Sequence, residues 1–142
     1  MIEIKTNNYC DTLTGGTGKD TLTGGLGADR FDYRILADSI LNSFDVITDF
    51  NANDGVDLFV VSTARSVFNN VGTVATLDTA GISAKLTTTA FTANSAAQFS
   101  FGTRTFVAIN DATAGFNANS DAIVEVTGFS GTLSNSIFTT TV

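Results

Sequence analysis

The sequence predicts an all-β chain, a short parallel β-roll of nonapeptide repeats followed by a β-rich, sandwich-like C-terminal part that caps it. Three observations carry this. A Gly-Gly-X-Gly-X-Asp unit, Gly15–Asp20, recurs nine residues later as Gly24–Asp29. Large apolar residues keep the same period at Leu13, Leu22 and Phe31. The composition suits strands and turns: Thr, Ser, Val and Ile are abundant, Phe (12) outnumbers Tyr (2), and Pro, Trp and His are absent.

The elements follow in chain order. Thr6–Thr14 is a worn first copy of the repeat, with Asp11 and Leu13 in phase but no glycine at Thr6 or Asn7. Each unit is a six-residue turn and a three-residue strand whose middle side chain faces inward. Consecutive strands alternate between two sheets, so a full coil takes 18 residues and the repeat runs over residues 6–38. Asp45–Phe50 and Val56–Val61 read as two further strands around an Asn/Asp/Gly turn at 51–55. Beyond them, Thr63–Asn70 and Thr92–Phe99 are read as short helices, and Gly72–Thr92 alternates as strands do, with a turn near Asp78–Gly81. Thr103–Ile109 and Asp121–Thr127 read as partner strands joined by the loop 110–120, and Ser136–Thr141 as a last strand. The division expected is 1–61 for the roll and 62–142 for the C-terminal part, packed as one unit.

Charge narrows the function. Ten of the fourteen acidic residues fall within residues 1–57, against four basic ones. Such an acidic half speaks against nucleic acid, which needs Lys and Arg to neutralise phosphate. It suits a hard cation held by oxygen ligands. With no His there is no ordinary triad or imidazole base, and the expectation is a non-enzyme. Cys10 is the single cysteine, so no internal disulfide can form. No stretch is long and apolar enough to span a membrane, and "MIEIKTNNYC" lacks the pattern of a cleavable secretion signal.

The repeat carries the candidate metal chemistry. Glycines 15, 16, 18, 24, 25 and 27 permit positive φ and let carbonyls turn inward. An 18-residue coil stacks Asp11 on Asp29, and Asp20 on Asp38, at a strand spacing of about 4.8 Å. Two carboxylates at that distance repel by roughly 1 kcal/mol in water and by more at lower dielectric. A Ca²⁺ ion, taking six to eight oxygens at about 2.3–2.6 Å, would relieve this with one Asp and some carbonyls from each turn. Mg²⁺ demands stricter geometry, and Zn²⁺ lacks His and clustered Cys. "GTGKDT" fails as a phosphate-binding loop, because Leu13 and Asp20 stand where that pattern needs Gly and a hydroxyl.

Gly15–Phe31 resembles the nonapeptide repeat of RTX (repeats-in-toxin) proteins. "FDVITDFNANDGVDLFVV" resembles the segment that closes such rolls, through Asp45, Ile47, Asp49, Phe50, Asp54, Val56, Asp57 and Leu58. "FSFGTRTFVAINDATAGFNANSDAIVEVTGFSG" resembles the bluetail domain of cyanobacterial surface proteins. The resemblance implies calcium-dependent folding outside the cell, and export by a type I secretion machinery that reads an uncleaved C-terminal signal.

Asp45 and Asp49 are peripheral calcium ligands or turn residues; an EF-hand is rejected, since Asp54 and Val60 stand where its Gly and bidentate acid belong. Asp111 and Asp121 flank the late Asn/Asp loop as further ligands or as hydrogen-bonded loop residues. Arg104 and Glu125 face each other across the predicted strand pair. A second functional class is a surface module for proteins or glycans, with the roll as a spacer.

Overall fold

The computed structural model describes residues 1–54 and 56–142. Strands dominate, and they fall into two sheets. The first has seven strands in the order β1 (Glu3–Lys5), β3 (Thr21–Thr23), β5 (Asp45–Ile47), β10 (Ala122–Glu125), β9 (Arg104–Ile109), β8 (Ala96–Phe101), β7 (Phe68–Thr73), the second four in the order β11 (Phe138–Thr139), β6 (Leu58–Val60), β4 (Arg30–Asp32), β2 (Thr12–Leu13). The first six strands are β1 (Glu3–Lys5), β2 (Thr12–Leu13), β3 (Thr21–Thr23), β4 (Arg30–Asp32), β5 (Asp45–Ile47) and β6 (Leu58–Val60). They alternate between the two sheets and pair in parallel with every second neighbour, which is the ladder of a β-roll.

Out-in-out alternation builds the core. Leu13, Leu22 and Phe31 are each the buried residue of a strand whose other members are more open. In register, Ile4 lies beside Leu22 and Leu22 beside Ile47 in one sheet. Leu13, Phe31, Phe59 and Phe138 line up in the other. Ile4 continues the nine-residue period one step upstream of the predicted array, so the roll begins at β1. Phe50 stacks on Phe59 at 4.8 Å and tilts against Phe31 at 5.8 Å, filling the space between the sheets.

The coil length changes after β4. The first two coils are 18 residues, as predicted, but β3 pairs with β5 at Leu22↔Ile47, and β4 with β6 at Phe31↔Phe59. Two 3₁₀ turns, Leu36–Ser39 and Leu41–Ser43, occupy the extra length before β5, and the rest falls between β5 and β6. Leu41 buries itself in a second apolar cluster, so the excursion packs against the neighbouring layer.

The C-terminal half extends the same sheets. β7 (Phe68–Thr73), β8 (Ala96–Phe101), β9 (Arg104–Ile109) and β10 (Ala122–Glu125) continue the first sheet beyond β5, and β11 (Phe138–Thr139) pairs with β6 in the second. Both outer edges of the last coil are therefore occupied. Alternation again decides the faces: Val107, Ile109 and Val124 join the roll core, while Phe106, Ala108 and Ile123 face the second cluster with Phe91, Phe99 and Leu86. The helix α1 (Thr79–Ser83) covers that second face through Ile82.

Several local expectations are corrected. The two predicted helices at Thr63–Asn70 and Thr92–Phe99 contribute instead to β7 and β8, which pair with each other in parallel. The stretch Gly72–Thr92, expected as strands about a turn near Asp78–Gly81, is strand only to Thr73; the turn opens α1 instead, with Asp78 as its N-cap accepting the Gly81 N–H at 2.7 Å. The last strand is two residues, preceded by a 3₁₀ turn over Asn135–Ile137. Position 55 of the predicted 51–55 turn lies outside the described residues.

Candidate metal centre

The repeat aspartates form two ladders, one along each sheet, in which a carboxylate of one coil receives the backbone N–H of its neighbour. Asp20 Oδ1 accepts from Ile2 N, and Asp45 Oδ1 accepts from Asp20 N at 2.9 Å. On the other sheet, Asp29 Oδ1 accepts from Asp11 N at 2.9 Å and Asp57 Oδ1 from Asp29 N at 3.0 Å. Each such bond satisfies a donor at a strand start that the sheet ladder would leave open.

The second oxygens separate the residues. Those of Asp45 and Asp57 are satisfied, by Tyr33 Oη at 3.0 Å and Asn51 N at 2.8 Å. Those of Asp20 and Asp29 are not: both Oδ2 atoms are buried without a hydrogen-bond partner among the described residues. Both residues have no exposed surface. A carboxylate oxygen in that condition is costly unless a cation meets it.

Glycine makes the space. A Cβ on Gly15 would stand 2.9 Å from Asp20 Oδ2 and 3.3 Å from Asp45 Oδ2, and one on Gly24 would fall on Asp29 Oδ2. The first glycine of each unit is therefore present for room. This corrects the expectation that it needs positive φ; only the second and fourth do, with φ of 78° and 117° at Gly16 and Gly18, and 91° and 129° at Gly25 and Gly27. Across the stack, the Asn7 and Tyr9 carbonyls approach Gly25 and Gly27 where side chains would otherwise stand. The degenerate first unit thus presents its backbone oxygens to the better-formed one.

Charge in this region is compensated only in part, by Arg30 acting on Asp57. Burial raises the Asp29 carboxyl above the usual range, and the carboxylates of Asp57, Asp11 and Asp49 push it further, against the pull of the Asp11 N–H. Asp57 is raised mainly by burial, and burial pushes Asp45 up to about 6. Arg30 donates from Nη1 to the carbonyls of Asp29 and Val56. Among the described residues no three His, Cys, Asp or Glu side chains converge on one point. An ion here would draw two carboxylates at most from the side chains and the rest of its shell from turn carbonyls, which suits a large, irregular oxygen shell.

The other predicted positions are placed elsewhere. Asp38 does not stack on Asp20; Asp45 holds that place, because the two 3₁₀ turns lengthen the coil. Asp38 sits in the first of those turns, beside Thr14, Asp32, Arg34 and Ile35. Asp49 closes a turn, with its two oxygens on the N–H groups of Gly24 and Gly25 at 3.0 and 2.7 Å. Asp121 is buried and holds the late loop by accepting from Asp111 N at 3.0 Å and Asn117 N at 2.6 Å, while Asp111 Oδ1 caps Thr113 N. Asp57 is the ladder member that sequence reading left out. Its signal was present in the closing segment, but its distance from Asp29 matches no multiple of the repeat.

A family model, Peptidase M10 serralysin C terminal, matches residues 2–138. The chain belongs to this family. Serralysin C-terminal domains contain RTX-type calcium-binding repeats and come from secreted proteins. In this serralysin C-terminal chain the match also runs through the segment likened to the bluetail module, to which no comparison points. No curated protein matches the chain.

Proposed function

We propose that this chain is a non-catalytic, calcium-dependent folding module of an exported protein, with the ions held in the turns 6–11, 15–20 and 24–29. The carrying observation is the pair of buried, unpartnered oxygens, Asp20 Oδ2 and Asp29 Oδ2, each facing the gap left by a glycine. Asp11, Asp20 and Asp29 supply the carboxylates, the stacked turns supply carbonyls, and Gly15 and Gly24 keep the approach open. Asp45, Asp49 and Asp57 act as a supporting layer, because their oxygens already hold backbone N–H groups. Bound calcium supplies positive charge that offsets the buried carboxylates and cross-links neighbouring coils.

Without the ion, mutual repulsion and burial of these carboxylates oppose closure of residues 6–57, which suits passage through a type I secretion channel. Calcium outside the cell then favours the folded state by mass action. The acidic roll and the family's secreted members support this reading.

Calcium titration of the wild type and of Asp29→Asn, followed by circular dichroism and calorimetry, tests it. Removing one charged ligand at about 2.4 Å forfeits roughly 3 kcal/mol even at water's dielectric. The variant is therefore expected to need on the order of a hundredfold more calcium to fold. Identical spectra with chelator and with calcium would overturn the proposal.

A further inference from the structure

Arg65 is the buried cation for which neither the fold nor the calcium reading accounts. It is 7% exposed, and among the described residues its guanidinium hydrogen-bonds only to backbone carbonyls. Nε and Nη2 donate to Thr63 O, and Nη1 donates to Asn110 O at 2.6 Å and, at the limit of bonding, to Ser95 O at 3.5 Å. A guanidinium has five N–H groups, so one on Nη2 is left over. No ion pair among the described residues includes Arg65, although the chain carries fourteen acidic residues against seven basic ones. A missing partner here is not a shortage of acids. Ser95 Oγ and Asn110 Oδ1, buried nearby without hydrogen-bond partners among the described residues, add acceptors but no negative charge.

A buried charge paired only with neutral carbonyls is costly. Beside it lies a cavity of about 270 Å³, walled by Ala64, Arg65, Asn135, Phe138, Thr139 and Thr140. Arg65 is its one charged wall residue. Thr140 offers a hydroxyl at the exposed rim, where the Asn135 amide already donates to Arg65 O at 3.1 Å, and Phe138 gives an apolar side. We propose that this cavity binds a small, singly charged carboxylate, its oxygens toward Arg65 and its apolar end toward Phe138. A flat two-oxygen anion matches the planar guanidinium, and the chain's net charge of −7 disfavours dianions such as phosphate. The site lies in the C-terminal half and does not depend on the calcium assignment.

The test uses the full chain in calcium, titrated with sodium acetate against sodium chloride at matched ionic strength, with amide chemical shifts as the readout. Saturable shifts specific to acetate are expected at residues 64, 65, 135 and 138–140. Because Arg65→Met also removes the carbonyl contacts and threatens folding, the decisive variant is Thr140→Glu, at the exposed rim. Its tethered carboxylate is expected to weaken acetate binding at least about tenfold. Shifts equal to those in chloride, or acetate affinity unchanged in Thr140→Glu, would overturn the site and leave Arg65 as a pin between loops.

Discussion

Replacing Gly24 by alanine isolates the space that the first glycine of a repeat keeps open. Its φ is not positive, so alanine brings no backbone strain. The new Cβ would instead fall on Asp29 Oδ2, with Asp29 Cγ at 2.8 Å and Asp29 Cβ at 3.1 Å. Asp29 has no free surface to move into, so its carboxyl must rotate and give up the 2.9 Å bond from Asp11 N. A hydrogen bond to a charged group contributes about 1.5–3 kcal/mol, and overpacking costs about 1–3 kcal/mol more. Alanine's lower entropy in the unfolded chain returns about 0.4–1 kcal/mol. The expected net loss is roughly 3–4 kcal/mol. Gly15→Ala meets a looser contact, 2.9 Å to Asp20 Oδ2, and is expected to cost less. Urea unfolding at one saturating calcium concentration measures both. A Gly24→Ala cost under about 1 kcal/mol, or a larger cost at Gly15, would refute the view that these glycines exist for room.

Three further perturbations reach other parts of the molecule. Burial pushes Asp121 up to about 6, against the pull of two backbone N–H groups. Its protonated form therefore adds stability that is present below about pH 4 and lost as pH rises through about 6, up to about 3 kcal/mol. In Asp121→Asn that component of the pH profile should vanish, which urea midpoints between those pH values will show. Phe44 lies with Lys19 Nζ at 4.8 Å, the Arg104 guanidinium at 5.6 Å and Phe106 edge-on at 5.4 Å, so it joins a repeat turn to the C-terminal sheet. Phe44→Leu keeps the apolar bulk, loses these ring contacts, and is expected to cost about 1–2 kcal/mol in denaturant unfolding, with Lys19→Met taking part of the same loss. Gly81→Ala should destabilise despite alanine's helix preference, because its Cβ meets the Thr76 backbone carbonyl; a raised melting temperature would contradict this.

The legible parts of the fold share a short range. Leu13, Leu22 and Phe31 were readable because alternation and a nine-residue period are local, and Asp11 fell beneath Asp29 because nothing interrupts that coil. The Arg104–Glu125 pair, found at 2.7 Å, followed from two adjacent strands. β7 and β8 were misread because their small and polar residues, such as Ala96, Ala97 and Asn70, carry little strand propensity. They are strands through pairing with β9 and with each other. Asp45 and Asp57 could not be placed by counting, since the chain between β4 and β5 leaves the roll to bury Leu41 and returns.

The sequence by itself determined the repeat: its turns, its inward residues, and the acidic positions that make an oxygen-bound cation the natural partner. Tertiary structure decided which aspartates lie next to one another, which of their oxygens are left without a partner among the described residues, and that one buried arginine meets carbonyls there and forms no ion pair. The physical reason is range. Turn geometry and strand alternation are set within a few residues, whereas coil register after an excursion, and the solvation of a charge, are set by whatever the rest of the chain packs against them.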